Sequence, residues 1–320
     1  MINTPTVLIL GAGASAPYGF PGGESLLIEA SDTLEQMGSH LHISISNIFQ
    51  DLAQHEIVDF GRRLRDSHQP SIDVFVSSKA QERFRDLGKA VIAGLLLSHE
   101  NPNLFGRNDN DIDPKKWYPL LFRQLGVTID DLFSSQKNLS IITLNYDRSL
   151  EYFLYNVLRV NHNSDKDLIN AFIDGLPILH IYGSLGKLSH LSDTGVEYRS
   201  NRTASELHAE IDRTYHRLQI LPDDATTNSE IDRARAMITS SEIICCLGFG
   251  YHETNLERLF GNFHATPSQR IFATTYGMGY GMVDRLLEYF HDKGFNRPRI
   301  DIGSPTEHCF IYLTNNYIFR

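Results

Sequence analysis

Six short apolar runs punctuate the chain, at residues 7–10, 140–144, 178–182, 243–247, 270–274 and 310–313. Each is short and mainly aliphatic rather than alternating. That pattern predicts parallel strands buried on both faces by helices. Most of the runs lead into Gly, Asn or Asp, so polar turns fall at the strands' carboxyl ends, the edge where open α/β sheets bind ligands. The expected fold is α/β: a Rossmann-like parallel sheet flanked by helices.

Between the first two runs the period changes. Segments 24–37, 45–67, 74–100 and 118–132 place apolar residues at helical intervals, with charges on the other face. A crossover between parallel strands needs only about a dozen residues. Residues 24–135 are therefore expected to form a helical insertion between the first two strands, within one domain spanning 1–320. Residues 101–116, rich in Asn, Asp and Pro, read as a surface loop inside it. A second helical stretch, 202–240, separates the third strand from the fourth.

Composition narrows the class. Hydrophobic residues make up 41% and charged residues 21%, ordinary for a globular chain. The formal net charge of −10 works against direct nucleic-acid binding, which needs a cationic face. The three cysteines, Cys245, Cys246 and Cys309, form no Cys-x-x-Cys pair and so no zinc ribbon. They read as small buried thiols in a reducing, cytoplasmic setting. Run 7–10 is too short for a signal segment, and no run approaches the ~20 residues of a membrane span. None of the 14 histidines has metal-ligand spacing such as His-Glu-x-x-His, so no metal is expected.

The first run flows into Gly11-Ala12-Gly13-Ala14-Ser15-Ala16, which fits Gly-x-Gly-x-x-Ala. Such a turn can cradle a pyrophosphate on bare backbone N–H groups, or it can serve chain geometry alone. A dehydrogenase would also need an acidic residue ending a second strand ~20 positions on. Here Glu29 and Asp32 fall in the helical segment 24–37 instead. Pro17 to Gly23 carries two prolines and three glycines and reads as a loop folding over a ligand, with Tyr18 or Phe20 covering a base or ribose.

Two further strand ends carry chemistry. Asn145 and Asp147, two apart, would share a direction in extended chain. They suit ribose hydroxyls or a water, or else an Asx turn in which Asp147 caps a helix beginning near Arg148. His180 and Tyr182 share a face by the same period, and histidine is the side chain best suited to proton transfer near neutral pH.

Taken together these segments resemble the sirtuin fold, and within it a bacterial sirtuin-like branch. Sirtuins carry Gly-Ala-Gly-x-Ser-x-x-x-Gly-Ile-Pro; this chain has Gly11-Ala12-Gly13-Ala14-Ser15 and then Gly19-Phe20-Pro21 at the same spacing. Thr143-Leu144-Asn145-Tyr146-Asp147 matches Thr-Gln-Asn-Ile-Asp, and His180-Ile181-Tyr182-Gly183-Ser184 stands where sirtuins have His-Gly-Ser. The run Leu247 to Asn255, with Gly248 and Gly250, is similar to the branch's later nucleotide-contacting strand end. The zinc-ribbon cysteines are missing, and Gly22-Gly23-Glu24 replaces the Asp-Phe-Arg of sirtuin cofactor loops. Both departures resemble bacterial antiphage NADases; Ser71-Ile72-Asp73-Val74-Phe75 is a weaker match to the same branch.

The resemblance implies an NAD+ hydrolase that cleaves the nicotinamide–ribose bond, with Asn145 and His180 catalytic. Gly11, Ala12, Gly13, Ser15, Phe20, Asp147, Gly183, Ser184, Gly248 and Gly250 would bind NAD. Without a gap at Gly183-Ser184, Tyr182 falls where sirtuins place their catalytic His, and His180 lies two residues earlier. It further implies a gated effector of antiphage defence, a homo-oligomer or one paired with a HerA-type ATPase or an Argonaute-like protein. A non-catalytic NAD or ADP-ribose sensor, or an ADP-ribosyltransferase or deacylase, is the alternative.

Overall fold

The computed structural model describes residues 1–106, 115–126, 128–162, 165–220, 228–316 and 318. Six parallel strands form one sheet: β1 (Thr6–Leu10), β2 (Leu139–Thr143), β3 (Ile178–His180), β4 (Ile243–Leu247), β5 (Arg270–Ala273) and β6 (Ile300–Ile302). Their order is β3-β2-β1-β4-β5-β6. The chain runs outward from β1 to β3, returns to the centre at β4, and runs outward again. Topology therefore reverses between β1 and β4, the crevice where open α/β sheets take ligands.

Every residue of β1 and β4 is buried, as uninterrupted aliphatic runs require of central strands. Alternate residues serve opposite layers. Leu8, Leu10, Ile141 and Cys245 pack with the helices that follow β1, whereas Val7, Ile9, Ile142 and Cys246 pack beneath the chain's later helices. All three cysteines are free and buried, and burial pushes the Cys309 thiol up to about 12.

Among the described residues every regular element between β1 and β2 is helical: α1 (Ala12–Ser15), α2 (Gly23–Glu35), α3 (His40–Ile48), α4 (Gln54–Asp66), α5 (Ile72–Ser77), α6 (Arg85–His99), α7 (Tyr118–Leu125) and α8 (Ile129–Asn138), with 3₁₀ turns at Ala16–Tyr18, Lys79–Phe84 and Pro102–Phe105. Three of the expected long helices are broken. Segment 45–67 divides around residues 49–53, where Glu56 reaches back to the Ala53 N–H and starts α4 afresh. Segment 74–100 divides at its 3₁₀ turn. Segment 118–132 divides at Gly126, whose φ of +119° leaves the helical region; residue 127 lies outside the described residues. So do 107–114 of the expected surface loop and 221–227 of the stretch 202–240.

The remaining helices are α9 (Ser149–Asn161), α10 (Lys166–Gly175), α11 (Ala204–Thr214), α12 (Ser229–Ser240), α13 (Glu253–Phe260), α14 (Tyr280–Asp292) and α15 (Cys309–Asn316). The last corrects one expectation: residues 310–313 are helix, and the sixth strand is Ile300–Ile302. Cys309, Tyr312 and Leu313 are buried at helical spacing, and a short apolar run fits either period. The Tyr312 hydroxyl accepts from the Ala273 N–H and donates to Asp301, pinning α15 across β5 and β6. No helix among the described residues is long and apolar enough to cross a membrane.

A buried ionic cluster ties the helices after β1 to the loop after β2. Glu100, just past α6, receives Arg148 Nε at 2.7 Å and Arg202 Nη2 at 2.6 Å, and Arg202 Nε reaches Glu210 on α11 at 2.6 Å. Arg148 also donates to the Val196 and Lys187 carbonyls. Burial pushes the Glu100 carboxyl up, against the downward pull of the two guanidiniums.

Candidate functional site

The turns after β1 and β4 meet at the topological reversal, and their glycines are needed for that meeting. The Gly11 N–H donates to the Leu247 carbonyl and the Gly13 N–H to the Gly248 carbonyl, both at 3.0 Å. A Cβ on Gly11 would stand 2.5 Å from the Gly248 oxygen. On Gly248 (φ +58°) it would stand 2.1 Å from the Ala14 nitrogen. The Ala14 N–H turns back to the Gly11 carbonyl. Three of the four amides from Gly11 to Ala14 are thus taken by protein carbonyls, which leaves that of Ala12. Of the two readings of the turn, chain geometry is the one these bonds display: it seats two strands against each other, with Ala12, Gly13 and Ala16 exposed.

Above this junction lies a cleft of about 710 Å³, within the size range of small-molecule sites. The turns after β1, β2 and β4 form its floor. Phe20 and Pro21, with Pro70 to Val74 and Leu96, form the facing wall. Of the residues expected to act, Gly11, Ala12, Gly13, Ser15, Phe20, Asn145, Asp147, Gly248 and Gly250 line it. Tyr18 does not. It is buried between Phe105 and Tyr118, stacked on Tyr118 at 3.8 Å, and its hydroxyl accepts the Tyr118 N–H.

Asn145 sits just past β2. Its Nδ2 donates to the Gly11 carbonyl at 2.9 Å and to Ser15 Oγ at 3.1 Å. Both amide hydrogens are thereby used, and Oδ1 is the polar atom left to meet a ligand. Asp147 is buried, and its Oδ1 accepts the Ser149 N–H at 3.0 Å and the Ser149 hydroxyl. That is the Asx-turn geometry, the carboxylate accepting from the residue two positions on, just before α9, whose N-cap is Arg148. Burial pushes its carboxyl up, and the donors Ser149 and Ser15 pull it down.

His180 and Tyr182 part company. The strand ends at His180 in a turn closed by the Gly183 N–H on the His180 carbonyl, so period two stops applying and the shared face is lost. His180 faces a separate, water-sized hollow behind the Asn145 loop. There its Nδ1 lies 2.8 Å from the Asn145 carbonyl and its Nε2 2.8 Å from Glu151 Oε1. Tyr182 lines the cleft. Its hydroxyl donates to Asn255 Oδ1 at 2.7 Å and accepts from Arg258 Nη1 at 3.0 Å. Burial raises the phenol's pKa and Arg258 lowers it, with burial prevailing.

Gly183 and Ser184 lie off the cleft as well. At Gly183 (φ +74°) a Cβ would stand 2.0 Å from the Arg217 oxygen, and Ser184 Oγ accepts the Gly186 N–H. Both residues turn the chain. Sequence reasoning missed Arg258, Gln219 and Ile92, which line the cleft from elements without a motif. Arg258 was the findable one: it stands three residues after Asn255 on α13, so both reach one side of that helix.

No protein-family model matches the chain, and no curated protein matches it either.

Proposed function

We propose that the cleft binds NAD+ and that the chain hydrolyses the bond between nicotinamide and ribose, releasing nicotinamide and ADP-ribose. The observation that carries this reading is Asn145. A side-chain amide just past β2 is held by the glycine turn at the topological reversal so that one acceptor remains at the cleft. The resemblance to sirtuin-like NADases supports the substrate, and the cleft's position at the carboxyl edge of the sheet supports a nucleotide.

In this reading the C1′–N bond breaks with its electron pair leaving on nicotinamide, a neutral leaving group. Water then bonds to C1′ and releases a proton. The ribose passes through an oxocarbenium-like state, so the site needs oriented acceptors and negative charge more than a strong base. Asn145 Oδ1 orients a ribose hydroxyl or the water, and the Asp147 carboxylate on the floor favours the developing positive charge. Tyr182, with its proton held by Asn255 and a lone pair by Arg258, fixes a second polar contact on the far wall. His180 is a positioning residue here, acting through the Asn145 carbonyl. Depletion of NAD+ calls for gating, and we assign it to oligomerisation or to a partner such as a HerA-type ATPase or an Argonaute-like protein, in cytoplasmic antiphage defence.

The test is incubation with NAD+, with and without neighbouring gene products, followed by chromatography. Nicotinamide and ADP-ribose appearing in equal amounts are expected. One observation favours the alternative of a non-catalytic NAD or ADP-ribose sensor: the imidazole of His180 is withheld from the cleft. A sensor would rise in melting temperature with NAD+ yet release no nicotinamide under any condition.

A further inference from the structure

The Asn145 loop is held from two sides. On the cleft side its amide donates to Gly11 and Ser15. Behind it, His180 meets the Asn145 carbonyl with one ring nitrogen and Glu151 with the other, both at 2.8 Å. A carbonyl accepts and never donates, so Nδ1 carries a proton. A carboxylate also only accepts, so Nε2 carries one too. With Glu151 ionised, both contacts are satisfied together by an imidazolium facing that carboxylate.

This pair borders the cleft without entering it. The hollow around His180 shares Ser15, Asn145 and Asp147 with the cleft, while His180 and Glu151 belong to the hollow alone. Their side chains are 12% and 19% exposed. Among the described residues the titratable groups lining the hollow are Glu151 on α9, Asp147 in the loop after β2 and Tyr118 on α7. The Tyr118 phenol is paired with Ser149 Oγ.

We propose that Glu151 is a positioning residue for the cleft: its carboxylate keeps His180 doubly protonated, and the imidazolium fixes the Asn145 backbone so that Asn145 Oδ1 is held ready for a ligand hydroxyl or water. This deepens the NAD+ reading and rests on it only where ligand is measured. Burial alone would lower the His180 pKa. The charge and hydrogen bond of Glu151, with the Asn145 carbonyl and Asp147, outweigh it and leave the pKa above the ordinary value. When pH rises through that raised value the ring loses a proton. A lone pair then faces either the carboxylate or the carbonyl, and one of the two contacts becomes repulsive.

Glu151→Gln separates this role from a merely structural one. Its amide donates to Nε2 of a neutral ring while Nδ1–H stays on Asn145, so the loop no longer needs the charge. The experiment follows the His180 ring and the Asn145 side-chain amide by NMR from about pH 6 to 9, in the full chain, with NAD+ affinity measured across the same range. In the unsubstituted chain the Asn145 amide signals shift with the His180 midpoint, and NAD+ affinity falls on the order of tenfold through it, the scale of coupling between adjoining groups. In Glu151→Gln both become flat. Should Glu151→Gln not fold, Glu151→Asp keeps the charge and withdraws its reach, and is expected to lower the His180 midpoint. Asn145 signals indifferent to the His180 titration would overturn the proposal, as would a midpoint at or below the ordinary imidazole value. If NAD+ binds at no pH while the Asn145 signals still follow His180, the dinucleotide reading fails and the positioning role stands.

Discussion

At Gly248 the backbone has room for a hydrogen and nothing larger. A methyl there would meet the Ala14 amide and the Gly13 carbonyl carbon, at a positive φ besides. Gly248→Ala is expected to destabilise the fold by about 2 kcal/mol or more, the sum of left-handed strain and overpacking, read as a lower urea midpoint at unchanged slope. The Gly-x-Gly signal after β1 was legible in the sequence, yet its partner was not, because that partner lies more than two hundred residues away. Asn145 stood out in the sequence only beside the local alternative of an Asx turn, and its bonds to Gly11 and Ser15 were out of reach because they span more than a hundred residues. On the NAD+ reading, Asn145→Ala is expected to cut nicotinamide release by at least about 10²-fold, the scale of removing one preorganised polar group from a reacting site, with the fold intact by circular dichroism. Tyr182→Phe removes the hydroxyl from between Arg258 and Asn255, and on the NAD+ reading a smaller loss of turnover is expected from the same chromatographic assay.

Elements tell a more uneven story. Five of the six strands were readable as short apolar runs, and for β1 and β4, buried throughout, covered faces force such a run. β6 was not, since Ile300-Asp301-Ile302 is a half-buried edge strand of three residues with a polar centre. The separation of His180 from Tyr182 was hidden too, because it depends on where β3 stops and turns. The helices after β1 were recognisable by period, while their breaks depended on turns and caps that periodicity does not register. The Glu100 cluster lay beyond sequence reach altogether: its members come from three distant segments. Glu100→Gln would leave Arg148 and Arg202 buried without their shared carboxylate. A loss of about 3–5 kcal/mol is expected, measured by chemical denaturation.

For the molecule as a whole, three ionisable groups set a direction of pH dependence. His180, Asp147 and Glu100 all have pKa values raised in the fold, His180 by its acidic neighbours against burial and the carboxyls by burial. A raised pKa means that the folded chain binds more protons than the unfolded chain, so stability falls as pH rises. The His180 contribution is complete below the ordinary imidazole value and disappears as pH climbs through its raised one. The carboxyls act lower, between their ordinary and raised values. The melting temperature is expected to be higher at about pH 6 than at about pH 9 by differential scanning calorimetry, and Glu151→Gln should flatten the alkaline part of that slope.

The register of the central strand has a consequence for biosynthesis. Leu8 pairs with Ile141 on one side and with Cys245 on the other. A ribosome adding about 5–20 residues each second would deliver the second partner roughly 12–47 s after Leu8 itself. Throughout that interval a strand destined for full burial is synthesised but has an unmatched edge. The helices after β1 can fold in the meantime by local contacts, whereas the sheet must wait for long-range closure. A nascent chain arrested before residue 243 should therefore hold a structured helical layer beside an adhesive strand, and be bound by a holdase until β4 arrives.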